Sequence, residues 1–150
     1  MSHRLTALVG VTGCAAAISG IGLLGQGPPV VARDAWVRQP LEGRDVTAAF
    51  LVVENHGAAA RAIVGASSAG ADKLELHEMK LDNGMMRMSP VDRIEIPAGG
   101  RVELKPGGFH IMIFGLKKPL VPGTSMPITL KLDDGTTIPL GADVRKTGDK

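Results

Sequence analysis

Cysteine is nearly absent from this 150-residue chain, whose one cysteine, Cys14, lies in an apolar N-terminal stretch. The rest of the chain has no thiol, which excludes a Cys-x-x-Cys redox pair and a blue-copper centre with its cysteine ligand. A domain without thiols suits an oxidising compartment, because it can neither be oxidised at sulfhydryl groups nor mispaired there.

Aromatic residues are also scarce, and charge of one sign does not dominate. Phe, Trp and Tyr make up 3% of the chain, and 17 basic against 15 acidic residues leave a net charge of +2. Without a basic stripe or a stacking platform, we expect no nucleic-acid partner. No Ser-His-Asp set, paired-carboxylate cleft or phosphate-binding glycine loop stands out, so we do not expect an enzyme.

Helical periodicity is missing as well. Short apolar or alternating runs are separated by Gly, Pro and Asn/Asp turns, a pattern typical of an all-β sandwich or barrel. Asp82-Asn83-Gly84 and Asp133-Asp134-Gly135 are the best turn signals, because these residues tolerate the positive φ angles of tight hairpins. The predicted strands are Ala35–Arg38, Thr47–Glu54, Ala62–Ala66, Lys73–Leu81, Met85–Ser89, Asp92–Ile96, Arg101–Leu104, His110–Gly115, Ser125–Leu132 and Thr137–Leu140.

The N-terminus predicts an export signal. A basic start is followed by an apolar run from Leu5 to about Leu24, and Val30-Val31-Ala32 fits a small-residue cleavage site. We therefore assign residues 1–32 to a signal peptide and 33–150 to one mature domain, located in the periplasm or elsewhere outside the cytoplasm.

Two alternatives to cleavage after Ala32 remain open. About twenty apolar residues are enough for an uncleaved membrane anchor. Val11-Thr12-Gly13-Cys14 resembles a lipoprotein cleavage box, which would place a lipid on Cys14. Contact with a membrane is expected only if this segment is retained or lipidated.

Two imidazoles and two thioethers are the most informative side chains. His77, Met88, His110 and Met112 follow the spacing H-x10-M-x21-H-x-M. Thioether sulfur is a poor ligand for zinc, calcium or magnesium and a good one for Cu(I). The set therefore predicts a copper(I) site, and Cu(II) binding through the imidazoles stays open.

Strand geometry explains how these side chains can meet. Residues two apart on a strand share a face, so His110 and Met112 lie together while Phe109, Ile111 and Ile113 face the core. If Asn83-Gly84 forms a two-residue loop, Met79 lies opposite Met88 and His77 lies diagonally from it, within reach of a flexible methionine.

The same spacing, with its flanking blocks, resembles the PCuAC-type periplasmic copper chaperones. The blocks are Ala35-Trp36-Val37-Arg38, Leu76-His77-Glu78-Met79, Gly84-Met85-Met86-Arg87-Met88, Ile96-Pro97-Ala98-Gly99, Leu104 to Met112, and Leu116-Lys117-Lys118-Pro119-Leu120. The resemblance covers roughly residues 34 to 140. It implies a cupredoxin-like β-barrel, copper ligation by His77, Met88, His110 and Met112, and delivery of Cu(I) to an acceptor such as a cytochrome c oxidase subunit or another assembly factor.

Several alternatives accompany this interpretation. Met79 rivals Met88 as a ligand by register, and His56 is an accessory candidate whose ordinary role is a turn residue. Glu75 and Glu78 are predicted as solvated strand positions, with Glu78 a candidate partner for a ligand imidazole. At the level of the whole protein, copper buffering or tolerance without a dedicated acceptor and a structural β-domain without metal remain as rivals. We expect a monomer.

Overall fold

The computed structural model describes residues 28–149. The predicted signal segment up to Gly27, including Cys14, and the last residue, Lys150, lie outside the described residues. The described part contains ten strands: β1 (Val30–Arg38), β2 (Thr47–Asn55), β3 (Arg61–Ser67), β4 (Ala71–Asp82), β5 (Met85–Pro90), β6 (Ile94–Ile96), β7 (Arg101–Leu104), β8 (Phe109–Leu116), β9 (Ser125–Leu132) and β10 (Thr137–Arg145).

The strands hydrogen-bond in one continuous order, β5-β4-β8-β2-β1-β10-β9-β3-β6, and β7 adds to β2. Every pair is antiparallel except β1 with β10, which is parallel. β3 also packs against β4, so the path folds back on itself around a shared interior. This arrangement confirms the predicted all-β class. Across residues 28–149, no helix is long and apolar enough to cross a membrane.

The hydrophobic core lies on one face of the two strands that carry the predicted ligands. On β4 the inward residues are Leu74 and Leu76, and on β8 they are Ile111 and Ile113; all four are buried. Because side chains alternate along a strand, the residues between them point to the opposite face. Packing of these core residues therefore sets the face of the sheet to which the histidines and methionines point.

Strands β1 and β10 both extend beyond their predicted ranges. At the N-terminal end, Val30 pairs with Asn55 and is only 4% exposed, so the predicted boundary after Ala32 falls inside β1. At the C-terminal end, Ala142 and Val144 are buried where β10 runs beside β1. The sequence around them resembles a polar tail, but here it lies between β9 and β1, and the β1 pairing joins residues more than a hundred positions apart.

The hairpin between β4 and β5 has the predicted two-residue turn. Asn83 and Gly84 have φ angles of 48° and 80°, as a type I′ turn requires, and Asp82 pairs with Met85. The register that follows places Met79 opposite Met88. The predicted turn and register are confirmed, and the register determines which methionines share a face.

Candidate metal centre

Adjacent strands bring the two histidines side by side. In the β4–β8 ladder His77 is the direct partner of His110, and Glu75 is the direct partner of Met112. Directly paired residues point to the same face, so all four side chains lie on the face opposite the core. Both histidines are buried, at 9% and 5% exposure, and their ring centroids are 5.8 Å apart.

The second methionine comes from the edge strand β5. All six residues of β5 are exposed, and Met88 itself is 48% exposed. Its sulfur nevertheless reaches back over the sheet, and Met88 Sδ lies 3.1 Å from His110 Nε2. This contact joins residues 22 positions apart in the sequence.

A surface cavity of about 440 Å³ opens at this contact. Met88, His110 and Met112 line it, together with Met79, and Phe50 lies in its wall. His77 is not among the residues that line this cavity. The structure thus brings three of the four predicted ligands around one space, while His77 lies next to His110 in the ladder.

The hydrogen bonds of His110 decide which of its nitrogens is free. Its Nδ1 lies 3.0 Å from the carbonyl oxygen of Gly108, which can only accept, so Nδ1 carries the proton and donates. In the neutral ring Nε2 then has a free lone pair. In this tautomer no hydrogen lies between Nε2 and Met88 Sδ, 3.1 Å away, and a cation bound between the two lone pairs would stabilise the contact.

His77 is held in the opposite tautomer. Its Nε2 donates to Glu75 Oε2 at 2.9 Å, and the hydrogen bond from His77, followed by that from Lys73, lowers the pKa of the Glu75 carboxyl. His77 Nδ1 is buried and has no hydrogen-bond partner. An orphaned buried ring nitrogen with a lone pair fits a metal ligand, because a bound ion would satisfy it.

Glu75, and not Glu78, hydrogen-bonds the His77 ring. Its side chain is 33% exposed, so a partly solvated strand position also orients this imidazole, whereas Glu78 forms an ion pair with Lys80. The signal that could have identified it is strand alternation, because residues 75 and 77 share a face of β4.

Aromatic rings lie beside both histidines, and one of them, Phe50, also lines the cavity. The centroids of Trp36 and Phe50 are 4.5 Å apart, those of Phe50 and His110 are 6.3 Å apart, and those of His77 and Phe114 are 6.3 Å apart. Trp36 therefore packs on Phe50 near the site.

Other polar candidates lie elsewhere or do not form a centre. His56 follows the far end of β2, where its Nε2 lies 3.5 Å from Glu54 Oε2, and it does not line the cavity. Among residues 28–149 no three His, Cys, Asp or Glu side chains cluster in a way that could hold a metal.

Electrostatics favour a soft ion of low charge. Of the side chains that line the cavity, only Arg38 is charged, and its guanidinium lies 5.3 Å from the centroid of the Phe50 ring. No carboxylate lines the cavity. Neutral donors beside a cationic group offer little to a hard divalent ion, whose preferred ligands are carboxylates and carbonyl oxygens.

Comparison with known proteins gives both relatives and structural neighbours. Residues 30–144 match the family described as "Putative lipoprotein LpqE-like". A relative named "Putative lipoprotein Lxx21020", from Leifsonia xyli subsp. xyli, is 39% identical over 141 residues, which cover 92% of this chain and 84% of the relative.

Among solved structures, the copper-bound PCuAC domain from PmoF2 superposes with a TM-score of 0.69. It is 22% identical, and the match covers 80% of this chain and 95% of that domain, which shows the fold alone. The solution structure of Cu(I)-bound DR1885 from Deinococcus radiodurans is 33% identical, with a TM-score of 0.62 and coverage of 83% and 84%. These likenesses confirm the expected cupredoxin-like fold.

Proposed function

The chain belongs to the LpqE-like family, and its resemblance to the PCuAC-type proteins is confirmed; from this premise we propose that it binds one Cu(I) ion and passes it on by ligand exchange. The proposed ligands are His77, Met88, His110 and Met112. The observation that carries the proposal is the approach of Met88 Sδ to within 3.1 Å of His110 Nε2 at a cavity that Met112 also lines.

The donor set explains the choice of the cuprous ion. Two thioethers and two neutral imidazoles are soft or borderline donors without charge, which suits Cu(I) more than a hard divalent ion. Arg38 at the cavity wall raises the cost of each additional positive charge on the bound ion. The Cu(I) form of DR1885 and the copper-bound PmoF2 domain support copper as the metal.

Release is favoured by the exposure of one ligand. Met88 stands on the edge strand and is 48% exposed, whereas the histidines are buried. An incoming thiolate or imidazole could displace the Met88 sulfur first, without proton transfer, because a thioether carries no ionisable proton. This is transfer without a covalent change in a substrate, so we place the protein among metal carriers and not among enzymes.

Copper binding is tested by anaerobic titration against a chromophoric Cu(I) chelator. We expect tight one-to-one binding by the purified protein and its loss in the variant His110→Ala/Met112→Ala. Met85→Leu is the matched control, because Met85 lies on the same hairpin but pairs with Asp82 at its tip and does not line the cavity. Weak binding that is indifferent to all these substitutions would refute the proposal and leave a structural β-domain.

We propose that the acceptor is the copper centre of cytochrome c oxidase, reached directly or through another assembly factor. The sequence resemblance to the PCuAC-type chaperones supports this destination. A strain without the protein should lose oxidase activity at low copper, and the wild type should restore it while His110→Ala/Met112→Ala does not. Normal oxidase activity with increased sensitivity to copper would favour the buffering alternative instead.

We further propose that the protein is exported and held at a membrane by a lipid on Cys14. The lipoprotein names of the family and of the Leifsonia relative support this. Cleavage after Ala32 would remove Val30 and two neighbours from β1, whereas processing at Cys14 leaves the strand whole. Radiolabelled palmitate should enter the wild type and not Cys14→Ser; a mature N-terminus at Arg33 by mass spectrometry would contradict the proposal.

A further inference from the structure

A third thioether lies at the cavity beside the predicted ligands. Met79 lines the same space as Met88, His110 and Met112, and it is the direct cross-strand partner of Met88 in the β4–β5 ladder. Directly opposed side chains on one face have Cβ atoms about 5 Å apart, well within the reach of two methionines. Met79 is half-buried, so its sulfur is sheltered without being enclosed in the core.

His77 differs from the other three predicted ligands in its position and its contacts. It does not line the cavity, and its Nε2 is already hydrogen-bonded to Glu75, which Lys73 holds in turn through a 2.7 Å ion pair. The lone pair on His77 Nδ1 is its available donor. The candidate donor residues that line the cavity are therefore three methionines and one histidine.

We propose that Met79 is a fifth copper donor that takes the place of His77 in one of two states of the site. In one state copper has two imidazoles and two thioethers; in the other it has His110 and the thioethers of Met79, Met88 and Met112. This inference rests on the proposed function. Both donors that exchange are neutral, so the charge of the site does not change between the two states.

The chemistry of methionine makes such an exchange feasible. The side chain is unbranched, with three rotatable bonds and a polarisable sulfur, so it can approach or leave an ion while the strand stays in place. Met79 also lies two residues nearer than His77 to the β4–β5 turn. In the state with three thioethers, Met79 and Met88 are direct cross-strand partners, and Met88 stands on the exposed edge strand that an acceptor can approach.

The experiment is a double-mutant cycle on Cu(I) affinity, measured anaerobically on the full chain with His77→Leu, Met79→Leu and the double variant. If either donor can replace the other, each single substitution weakens binding by less than tenfold. The double variant then loses at least about tenfold more than the product of the two single effects, a coupling of about 1.4 kcal/mol. Effects that simply multiply, within twofold, would overturn the proposal.

Met85→Leu is the matched control within the same hairpin. It removes a thioether that lies outside the cavity, so it should change affinity by less than twofold and combine with His77→Leu without coupling. A cycle with Met85→Leu that couples as strongly as the one with Met79→Leu would also overturn the proposal, because the effect would then belong to the hairpin in general.

A second readout does not depend on the fold of the His77 variants. With ¹³C-methyl-labelled methionine, addition of Cu(I) to the wild type should shift the methyl signal of Met79 together with those of Met88 and Met112. An unmoved Met79 signal beside shifted Met88 and Met112 signals rejects the fifth donor and leaves the proposed function intact. Absence of any methionine shift, with no one-to-one binding, rejects the proposed function itself.

Discussion

Strand β8 has two faces with separable roles, and neighbouring substitutions on it should have opposite consequences. Ile111 is 0% exposed and lies between Leu76 and Ala49 in the ladders that flank β8, whereas Met112 is half-buried at the cavity. We predict that Ile111→Ala lowers stability and spares copper binding, and that Met112→Leu does the reverse.

The magnitudes follow from what each substitution removes. Ile111→Ala removes three buried carbon atoms, about 2.4 kcal/mol at about 0.8 kcal/mol each, and the cavity left behind brings the loss of unfolding free energy to about 3–4 kcal/mol. Met112→Leu nearly conserves volume at a partly exposed position and should cost less than about 1 kcal/mol. Its copper affinity should fall at least about tenfold, since even groups that only orient ligands are worth 10–100-fold.

Urea unfolding, followed by the fluorescence of Trp36, measures stability, because Trp36 is the only tryptophan and packs on Phe50. The midpoint should fall for Ile111→Ala with an unchanged slope against denaturant. Competitive Cu(I) titration measures affinity under conditions where both variants are folded. The reasoning fails if Met112→Leu binds copper like the wild type, or if Ile111→Ala unfolds at the wild-type midpoint.

Three further predictions concern the frame around the site. Gly115 and Gly123 both have positive φ angles, but a Cβ at Gly115 would collide with the Asp72 side chain, while one at Gly123 meets nothing within 4 Å. Gly123→Ala should therefore cost only the backbone strain of a left-handed residue, about 1–2 kcal/mol. Gly115→Ala should lower the melting temperature more, because it adds the collision. A chain that begins at Arg33 lacks the buried Val30, so its free energy of unfolding should be about 2 kcal/mol lower than that of a chain that begins at Pro28. Urea unfolding measures this difference, and equal stability would show that the start of β1 contributes nothing. The hydrogen bond from Arg33 holds the pKa of the Glu54 carboxyl below its ordinary value of 4.5, so this pair stabilises the fold above that pH, and the stabilisation disappears as pH falls through the lowered pKa. Between pH 6 and 3 the melting temperature of Glu54→Gln should therefore fall less than that of the wild type. Equal falls in melting temperature for the two proteins would refute the assignment.

The parts of the fold that could be predicted from sequence are those set by local geometry. The Asn83-Gly84 dipeptide fixes its turn through positive φ angles, and the turn then fixes the register of Met79 with Met88. Alternation on β8 likewise separates His110 from Ile111. These predictions required only neighbouring residues, and the structure confirms them.

The ends of the domain could not be predicted in this way. Residues 142–145 alternate between buried and less buried positions, but four residues with charges between them are an equally good polar tail. They pair on one side with β9, where Ala142 lies opposite Met126, and on the other with β1, where Val144 lies parallel to Val37. A pairing across more than a hundred residues leaves no trace in either local sequence.

The hydrogen bonds of His77 could not be predicted for a different reason, because they depend on the side-chain torsion angles of the residues on this face. Alternation places Glu75, His77 and Met79 on one face of β4, but it leaves open which of them a ring nitrogen turns towards. In the structure Nε2 turns to Glu75, and Nδ1 is left buried without a partner. The sequence pattern therefore places His77 beside the site, while the hydrogen bond to Glu75 decides that its free donor is Nδ1. If His77 and Met79 exchange at copper as proposed, the Glu75 carboxylate that holds the His77 ring and the sulfur of Met79 should together set how readily His77 binds the ion.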